Sequence, residues 1–195
     1  MKRYWKAAIV LAVGIPQWAT IGCAPQAELM DAQRLCAIKS VAVLPFEDAP
    51  GRQSKQSGTA TCGFITGELS RCNRFRIVER SRLTAIMDEQ QLQTADVVDT
   101  AAAVKLGKML GVQAVFIGSV SQYDMDKTTV YIYVVPVVSR SYKVGATVRL
   151  IDVSNGEVIY AHSACGSSGS NFTEAGKQAA KLLLAPLLAA QAPPA

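Results

Sequence analysis

The stretch AVKLGKMLGVQAVFIGSV (residues 103–120) decides the fold, because its hydrophobic pattern changes from helical to extended across a single glycine. Leu106 and Leu110 recur at the spacing of one helix face. Gly111 ends that helix, since glycine readily adopts the left-handed conformation found just past helix ends. The continuous apolar run over residues 114–120 then predicts a buried strand. A helix that leads directly into a buried strand indicates a sheet covered by helices.

The segments on either side extend this architecture. Further strands are predicted over residues 40–46, 75–79, 128–138, 143–153 and 157–164. Further helices are predicted over residues 58–71, after a cap at Ser81, and from a cap at Thr173 to Leu184, where Pro186 kinks or ends the helix. The pair Asn155-Gly156 predicts a tight hairpin, because both residues tolerate positive φ. The predicted fold is an α/β (α+β) sandwich with a mixed sheet of about five to six strands and helices packed on it.

The N-terminus has the pattern of a bacterial export signal. Basic residues precede a short apolar stretch over residues 7–15, and Thr20-Ile21-Gly22 then resembles a lipobox before Cys23. The apolar stretch is shorter than the about 20 residues that span a bilayer. We therefore predict lipidation of Cys23, with ordinary cleavage nearby and an uncleaved anchor as the alternatives. Ala24 after the lipid site resembles the signal for sorting to the outer membrane.

This signal sets the expected organisation of the chain. We expect a signal peptide over residues 1–22, a tether over 23–39, one periplasmic domain over 40–190 and a flexible tail over 191–195. Removal of the signal leaves 17 basic and 15 acidic residues, so the net charge falls from +5 to +2. The basic residues are scattered and form no stripe with aromatic residues, which argues against a nucleic-acid partner.

Four cysteines remain after the lipid site, at positions 36, 62, 72 and 165. An exported protein lies in an oxidising compartment, where disulfides form. Cys62 and Cys72 lie on one predicted helix, about 15 Å apart, beyond the roughly 7 Å limit between bridged Cα atoms. If bridges form, Cys36 would bond one of these two and Cys165 the other. The alternative is that some of the four are free buried thiols.

The sequence offers little catalytic chemistry. His162 is the only histidine, and it lies in a predicted strand where a structural role is expected. The cysteines have no C-x-x-C spacing, which argues against zinc and thioredoxin-type sites. The acidic residues near predicted helix ends suit capping and solvated faces. We therefore predict a protein that is not an enzyme and that has no cofactor and no metal.

The run TVYIYVVPVV (residues 129–138) has two interpretations. Its length is close to the roughly 9 to 11 residues of a membrane-spanning β-strand. Such strands alternate apolar and polar residues, whereas this run is apolar on both faces, and Pro136 suggests an edge or a bulge. The favoured interpretation is a buried or interface strand of the soluble domain, with membrane insertion as the alternative.

Four blocks of sequence, in order, resemble the curli-secretion lipoprotein family (CsgG). They are residues 41–46 (VAVLPF), 75–83 with 89–92 (FRIVERSRL and EQQL), 103–120, and 148–158 (VRLIDVSNGEV). The resemblance implies a periplasmic α/β domain that an N-terminal lipid tethers to the outer membrane. It also implies assembly into rings that serve protein or polysaccharide export.

The chain departs from the channel-forming member of that family, which inserts two β-hairpins per subunit. Only eight residues separate Ala164 from Thr173, fewer than the roughly 18 to 22 that two spanning strands require. The resemblance therefore implies a pore-less or reduced member: a homo-oligomeric accessory or scaffold subunit in envelope secretion or assembly, of the curli or exopolysaccharide type. The alternatives are a monomeric module that regulates a cell-wall enzyme and a channel that uses one β-hairpin per subunit.

Overall fold

The computed structural model describes residues 28–29, 32–51, 55–91, 99–133 and 135–190. Its elements, in chain order, are β1 (Glu28–Leu29), α1 (Ala32–Ala37), β2 (Ser40–Val43), α2 (Ser57–Cys72), β3 (Arg76–Ile77), α3 (Arg80–Glu89), α4 (Thr100–Leu110), β4 (Ala114–Ile132), β5 (Val135–Asp152), β6 (Val158–Ser168) and α5 (Phe172–Ala190). The strands form one sheet in the order β1-β6-β5-β4-β2-β3. β2 is parallel to β3 and β4, and the other pairs are antiparallel. The predicted mixed sheet and α+β class are confirmed.

Helices cover both faces of this sheet. On one face, α2 and α5 bury their leucine and isoleucine side chains against Phe116, Val148 and Leu150. On the other face, α3 and α4 pack against Val115 and Ile117. Alternate residues of β4 therefore enter different cores, and this explains why the run over residues 114–120 is apolar throughout rather than alternating.

The junction between α4 and β4 follows the sequence prediction. Asp99 begins the helix, because its Oδ2 accepts hydrogen bonds from the amides of Ala101 (3.1 Å) and Ala102 (3.3 Å). Gly111 ends it with φ 68°. A Cβ atom on Gly107 would lie 2.5 Å from Cγ2 of Val153, so this glycine lets the helix approach the sheet closely.

Three local predictions are wrong. Arg80, rather than a residue after Ser81, begins α3, with Glu79 at the N-cap. Thr173 does not cap α5, because Asn171 Oδ1 accepts the hydrogen bond from the Glu174 amide at 2.9 Å. The last helix continues through Pro186 to Ala190, because leucines on both sides of the proline are buried in the core.

The predicted tether contains structure. α1 lies within residues 23–39, and the side chains of Leu35 and Ile38 are buried in the core shared with α2 and α5. β1 pairs with the outer edge of β6, with Glu28 opposite Ala161. The segment just before β2 therefore packs on the domain, while the expected domain boundaries stay a prediction.

The sheet has two distinct ends. β2, β3 and β4 begin at one end, and β4 and β5 extend together far past the other. β1 runs antiparallel to β6, so Glu28 is the end of β1 nearer to the end where β4 and β5 project.

Candidate functional site: the projecting hairpin

β4 and β5 form a hairpin that projects beyond the rest of the sheet. They pair continuously as far as Ile132 and Val135. β6 pairs with β5 only as far as Tyr142, and β2 pairs with β4 only as far as Phe116. The seven residues from Asp126 to Ile132 thus pair only with β5, over about 23 Å at roughly 3.3 Å per residue.

An aromatic cluster joins the base of the hairpin to the domain. The ring of Tyr123 stacks on the ring of Phe172, at the start of α5, with centroids 4.2 Å apart and planes 9° apart. The ring of Tyr142 meets the same phenylalanine edge-on at 5.0 Å. The cluster continues into the small hydrophobic core formed by Val144 and the first turns of α5. Burial raises the pKa of the Tyr123 phenol.

A β-bulge determines which face of the hairpin meets α5. The pairing of β4 with β5 shifts between Val120 and Gln122. One extra residue on β4 reverses the alternation of its side chains. As a result Tyr123 and Val120, three positions apart, both face α5, and the aromatic cluster can form.

The stem of the hairpin is polar. Lys143 Nζ lies 2.8 Å from Asp126 Oδ2. The hydrogen bond and the negative charge of Asp126 raise the pKa of the Lys143 ammonium group. Lys127 lies opposite Arg140, and Thr128 lies opposite Ser139. These side chains suit an aqueous surrounding.

The tip of the hairpin is apolar and exposed. The exposed fractions of the side chains are 54% for Val130, 70% for Tyr131 and 98% for Tyr133. Tyr131 and Val130 are consecutive, so they lie on opposite faces of the ribbon. Val137, opposite Val130, and Val138, opposite Thr129, are also exposed. The tip therefore presents apolar side chains on both faces.

This arrangement corrects the prediction for residues 128–138. They do not form one strand, because a turn at Tyr133, with φ 56°, splits the run into the two arms of the hairpin. The side chains of Val130, Tyr131, Tyr133, Val137 and Val138 are exposed, so this part of the run is not buried within the chain, while its role as an interface strand stays a prediction. The predicted break between strands at residues 121–127 is absent, since β4 runs through them.

The predicted disulfide cysteines are free thiols in the structure. Cys62 is buried and Cys72 is half-buried on α2, whereas Cys36 and Cys165 are exposed. Cys165 alternates with Ala164, which faces α5, so its side chain points to the face of the sheet opposite α2. The structure thus does not bring Cys165 to α2, and the disulfide pairing stays a prediction. Cys23 lies outside the described residues.

His162 lies on β6 beneath α5. Its side chain is 5% exposed, and its Nδ1 has no hydrogen-bond partner among the described residues. Two residues away, the Tyr160 hydroxyl donates to the Leu183 carbonyl of α5. Burial raises the pKa of this phenol. Within the described ranges, no group of three His, Cys, Asp or Glu side chains is placed to hold a metal ion.

Sequence reasoning misses the base of the hairpin. The local pattern puts Phe172 in a loop and Tyr123 in a break between strands. The signal that could reveal the longer strand is the alternation of Tyr123 and Met125 with the polar residues Gln122, Asp124 and Asp126, which is typical of an extended segment past residue 120. In the described part of the chain, no helix has the length and apolar character to cross a membrane.

The six-stranded mixed sheet, with helices on both faces and a projecting hairpin, defines an α+β domain. Residues 37–181 match the family described as the curli production assembly/transport component CsgG. The match covers more than half of the chain, and the protein belongs to this family. The resemblance in the four sequence blocks is thereby confirmed. No curated protein matches the sequence at a significant level.

Two solved structures show the same fold. The PelC dodecamer from Paraburkholderia phytofirmans has a TM-score of 0.56 and 17% identity, over 85% of this chain and 96% of PelC. Lipoprotein GNA1162 from Neisseria meningitidis has a TM-score of 0.52 and 21% identity, over 77% of this chain and 96% of that lipoprotein. At these identities the likeness concerns the fold alone.

Proposed function

We propose that the protein is a non-enzymatic lipoprotein on the periplasmic face of the outer membrane, where it is an oligomeric accessory or scaffold subunit in envelope secretion or assembly. The observation that carries this proposal is the match to the curli assembly and transport family over residues 37–181. The related fold of PelC occurs in a dodecamer, which supports a ring for this chain as well. The exported material is of the curli or exopolysaccharide type.

The projecting hairpin supports self-association. A two-stranded ribbon is marginally stable alone in water, and this one leaves the outer edges of both arms unpaired within the described residues. In a ring, the β4 edge of one subunit would meet the β5 edge of the next. Such a head-to-tail contact closes when the rotation between subunits divides a full turn.

The direction of β1 supports the proposed anchoring. Glu28 is the end of β1 nearer to the hairpin end of the sheet. Four residues lie between Cys23 and Glu28, so the five Cα-to-Cα steps that join them span at most about 18 Å. A lipid on Cys23 would therefore hold the hairpin end of the domain toward the membrane.

The mass of the full-length protein in detergent tests the oligomer. We expect a discrete species of several subunits by light scattering after size exclusion. The double variant Val130→Asp/Val137→Asp places charges on the tip and should dissociate this species. The control Met109→Asp/Leu182→Asp changes two exposed apolar residues on α4 and α5 and should keep it.

Two results would reject parts of this proposal. A strictly monomeric protein at high concentration would remove the ring and favour a monomeric module that regulates a cell-wall enzyme. Equal dissociation of both double variants would show that the hairpin is not the specific contact.

The exposed apolar tip favours one second candidate, a channel with one hairpin per subunit. Its seven-residue arms are shorter than the about 9 to 11 residues of a spanning strand. The charged pair Lys127 and Arg140 lies within them. Conductance in planar bilayers would support the channel, and no conductance from the assembled protein would reject it.

A further inference from the structure

The end of the sheet opposite the hairpin carries three adjoining grooves. The first, of about 500 Å³, is lined by Lys39, Ser40, Arg76, Gly111 and Gln113. The second, of about 210 Å³, shares Lys39 and adds Arg74. The third, of about 450 Å³, shares Gln113 and adds Lys108. We call this surface, defined by Lys39, Arg74 and Arg76, the basic end.

The cations of the basic end lack acidic partners. The side chains of Lys39, Arg74 and Arg76 are exposed, and in the described part of the chain none lies within salt-bridge distance of a carboxylate. Asp152 is the one carboxylate among the described residues that line the three grooves, and it accepts a hydrogen bond from the amide of Ser154 at 2.8 Å. The surface therefore has an unbalanced positive charge.

The fold holds these cations side by side. β2 and β3 are neighbours, with Ser40 opposite Arg76, and the Arg76 amide donates to the Lys39 carbonyl at 2.7 Å. Gln113 Oε1 accepts from the amides of Lys39 (2.6 Å) and Ser40 (3.2 Å). The backbone beneath the cations is thus fixed before any ligand arrives, and this lowers the cost of binding.

Attraction to the C-terminal ends of helices explains the positions of only some of the cations at this surface. A helix C-terminus attracts cations, and Arg74 follows α2 while Lys108 lies in the last turn of α4. Arg76 belongs to β3, so that explanation does not apply to it. A ligand that supplies negative charge accounts for the convergence of Arg76 and Lys39 on one groove.

The free edge of β3 indicates the form of the ligand. β3 is the last strand of the sheet, and within the described residues its outer edge pairs with no strand. An extended peptide can add to such an edge through its backbone amides and carbonyls. Among the described residues, no aromatic side chain lines any of the three grooves, so these residues offer no surface for stacking a sugar ring.

We propose that the basic end binds an extended, acidic peptide segment of a partner protein. Its carboxylates pair with Lys39, Arg74 and Arg76, and the arginine guanidinium groups hold carboxylates in bidentate geometry. The site lies at the end of the sheet away from the hairpin. A partner can therefore bind whether or not the protein forms a ring, and the proposal does not depend on the proposed function.

The test uses the full-length protein in detergent and a fluorescein-labelled peptide of alternating Glu and Val. We expect saturable binding by fluorescence anisotropy that weakens at high salt. The variant Lys39→Gln/Arg74→Gln/Arg76→Gln should lose about tenfold or more in affinity, as expected for the loss of several charge contacts at an interface. The control Lys55→Gln/Lys105→Gln/Lys181→Gln removes the same net charge from exposed lysines elsewhere and should bind within about twofold of the wild type.

Several outcomes would overturn the proposal. Wild-type affinity in the first variant, with an unchanged thermal unfolding curve, would place binding elsewhere. Equal losses in both variants would show attraction to overall charge only. Polygalacturonate that competes through the same three residues and binds more tightly than the peptide would assign the site to an acidic polysaccharide. A peptide N-methylated at alternate residues should bind weakly, and full binding by it would reject addition to the β3 edge.

Discussion

α4 approaches the sheet closely at Gly107. A methyl group at this position would lie 2.5 Å from Val153 and 2.9 Å from Val115, below normal contact distance, so a side chain here would force the helix outward. A methyl group at Gly63 on α2 would meet only open space. A substitution at Gly107 therefore tests packing against the sheet, whereas a substitution at Gly63 tests helix propensity.

We predict opposite effects of alanine at these two positions. Gly107→Ala should lower the free energy of unfolding by about 1 to 3 kcal/mol through overpacking. Gly63→Ala should raise it by about 0.5 to 1 kcal/mol, because alanine is the better helix former. Urea denaturation of both variants measures this difference, and equal effects would contradict the close approach of α4.

Tyr160 predicts how stability changes at alkaline pH. Burial raises its pKa in the folded protein above the ordinary value of about 10. The folded state then holds the phenol proton more tightly than the unfolded state does, so stability is full below pH 10 and falls as the pH rises further. Tyr160→Phe should cost about 1 kcal/mol at neutral pH, through the lost hydrogen bond, and should lose less stability than the wild type as the pH rises past that value.

Thermal unfolding across this pH range is the measurement. Tyr133→Phe, at the exposed tip, serves as the control and should follow the wild-type profile. If Tyr160→Phe and the wild type decline in parallel at alkaline pH, the phenol is not the group responsible.

At the scale of elements, the hairpin depends on its aromatic base. Phe172 is half-buried and contacts one tyrosine from each arm. Phe172→Ala should lower the free energy of unfolding by about 2 kcal/mol, less than for a fully buried phenylalanine. It should also increase amide exchange in residues 122–143 more than in α4. The matched change Tyr133→Ala, at the tip, should affect neither quantity, and uniform exchange throughout the Phe172 variant would reject a local role.

The elements that sequence predicts well are those with a clear end signal or a buried face. α4 has Asp99 at its start and Gly111 at its end, and the end at Gly111 is as predicted. The hairpin is harder to predict, since neither face of its outer part is buried and burial is what produces alternation along a strand. Its turn at Tyr133 also lacks the Asn, Asp or Gly that usually marks a tight turn. α5 continues past Pro186 because its leucines pack in the core, and a local sequence pattern does not reveal such tertiary packing.

For the candidate site, the sequence identifies the apolar run but does not show that the run forms the exposed tip of a hairpin. Residues 129–138 attract notice by composition alone. That they form an exposed tip depends on where β6 and β2 end, and strand lengths set by pairing across the sheet are not visible in one segment. The aromatic base depends on contacts between Tyr123 and Phe172, which lie far apart in the chain.

At the scale of the whole molecule, the two ends of the sheet differ in charge and in shape. One end carries the hairpin, and the other is the basic end. If Cys23 bears the lipid, Cys23→Ser should move the protein from the membrane fraction to the soluble periplasmic fraction and abolish incorporation of labelled palmitate. Cys36→Ser changes an exposed cysteine on α1 and should alter neither. Continued labelling of the Cys23 variant would show that the lipid site is elsewhere.

The placement of β1 has a mechanical consequence. Because β1 runs antiparallel to β6 and Glu28 is its end nearer the hairpin, tension applied to Glu28 toward that end acts along the strand rather than across it. Such a load shears the β1–β6 hydrogen bonds together, whereas a load at right angles would break them one at a time. The side chain of Leu35, which follows β1 in the chain, is fully buried and also attaches this segment to the domain. The domain is therefore built to resist extraction when it is pulled from its N-terminus.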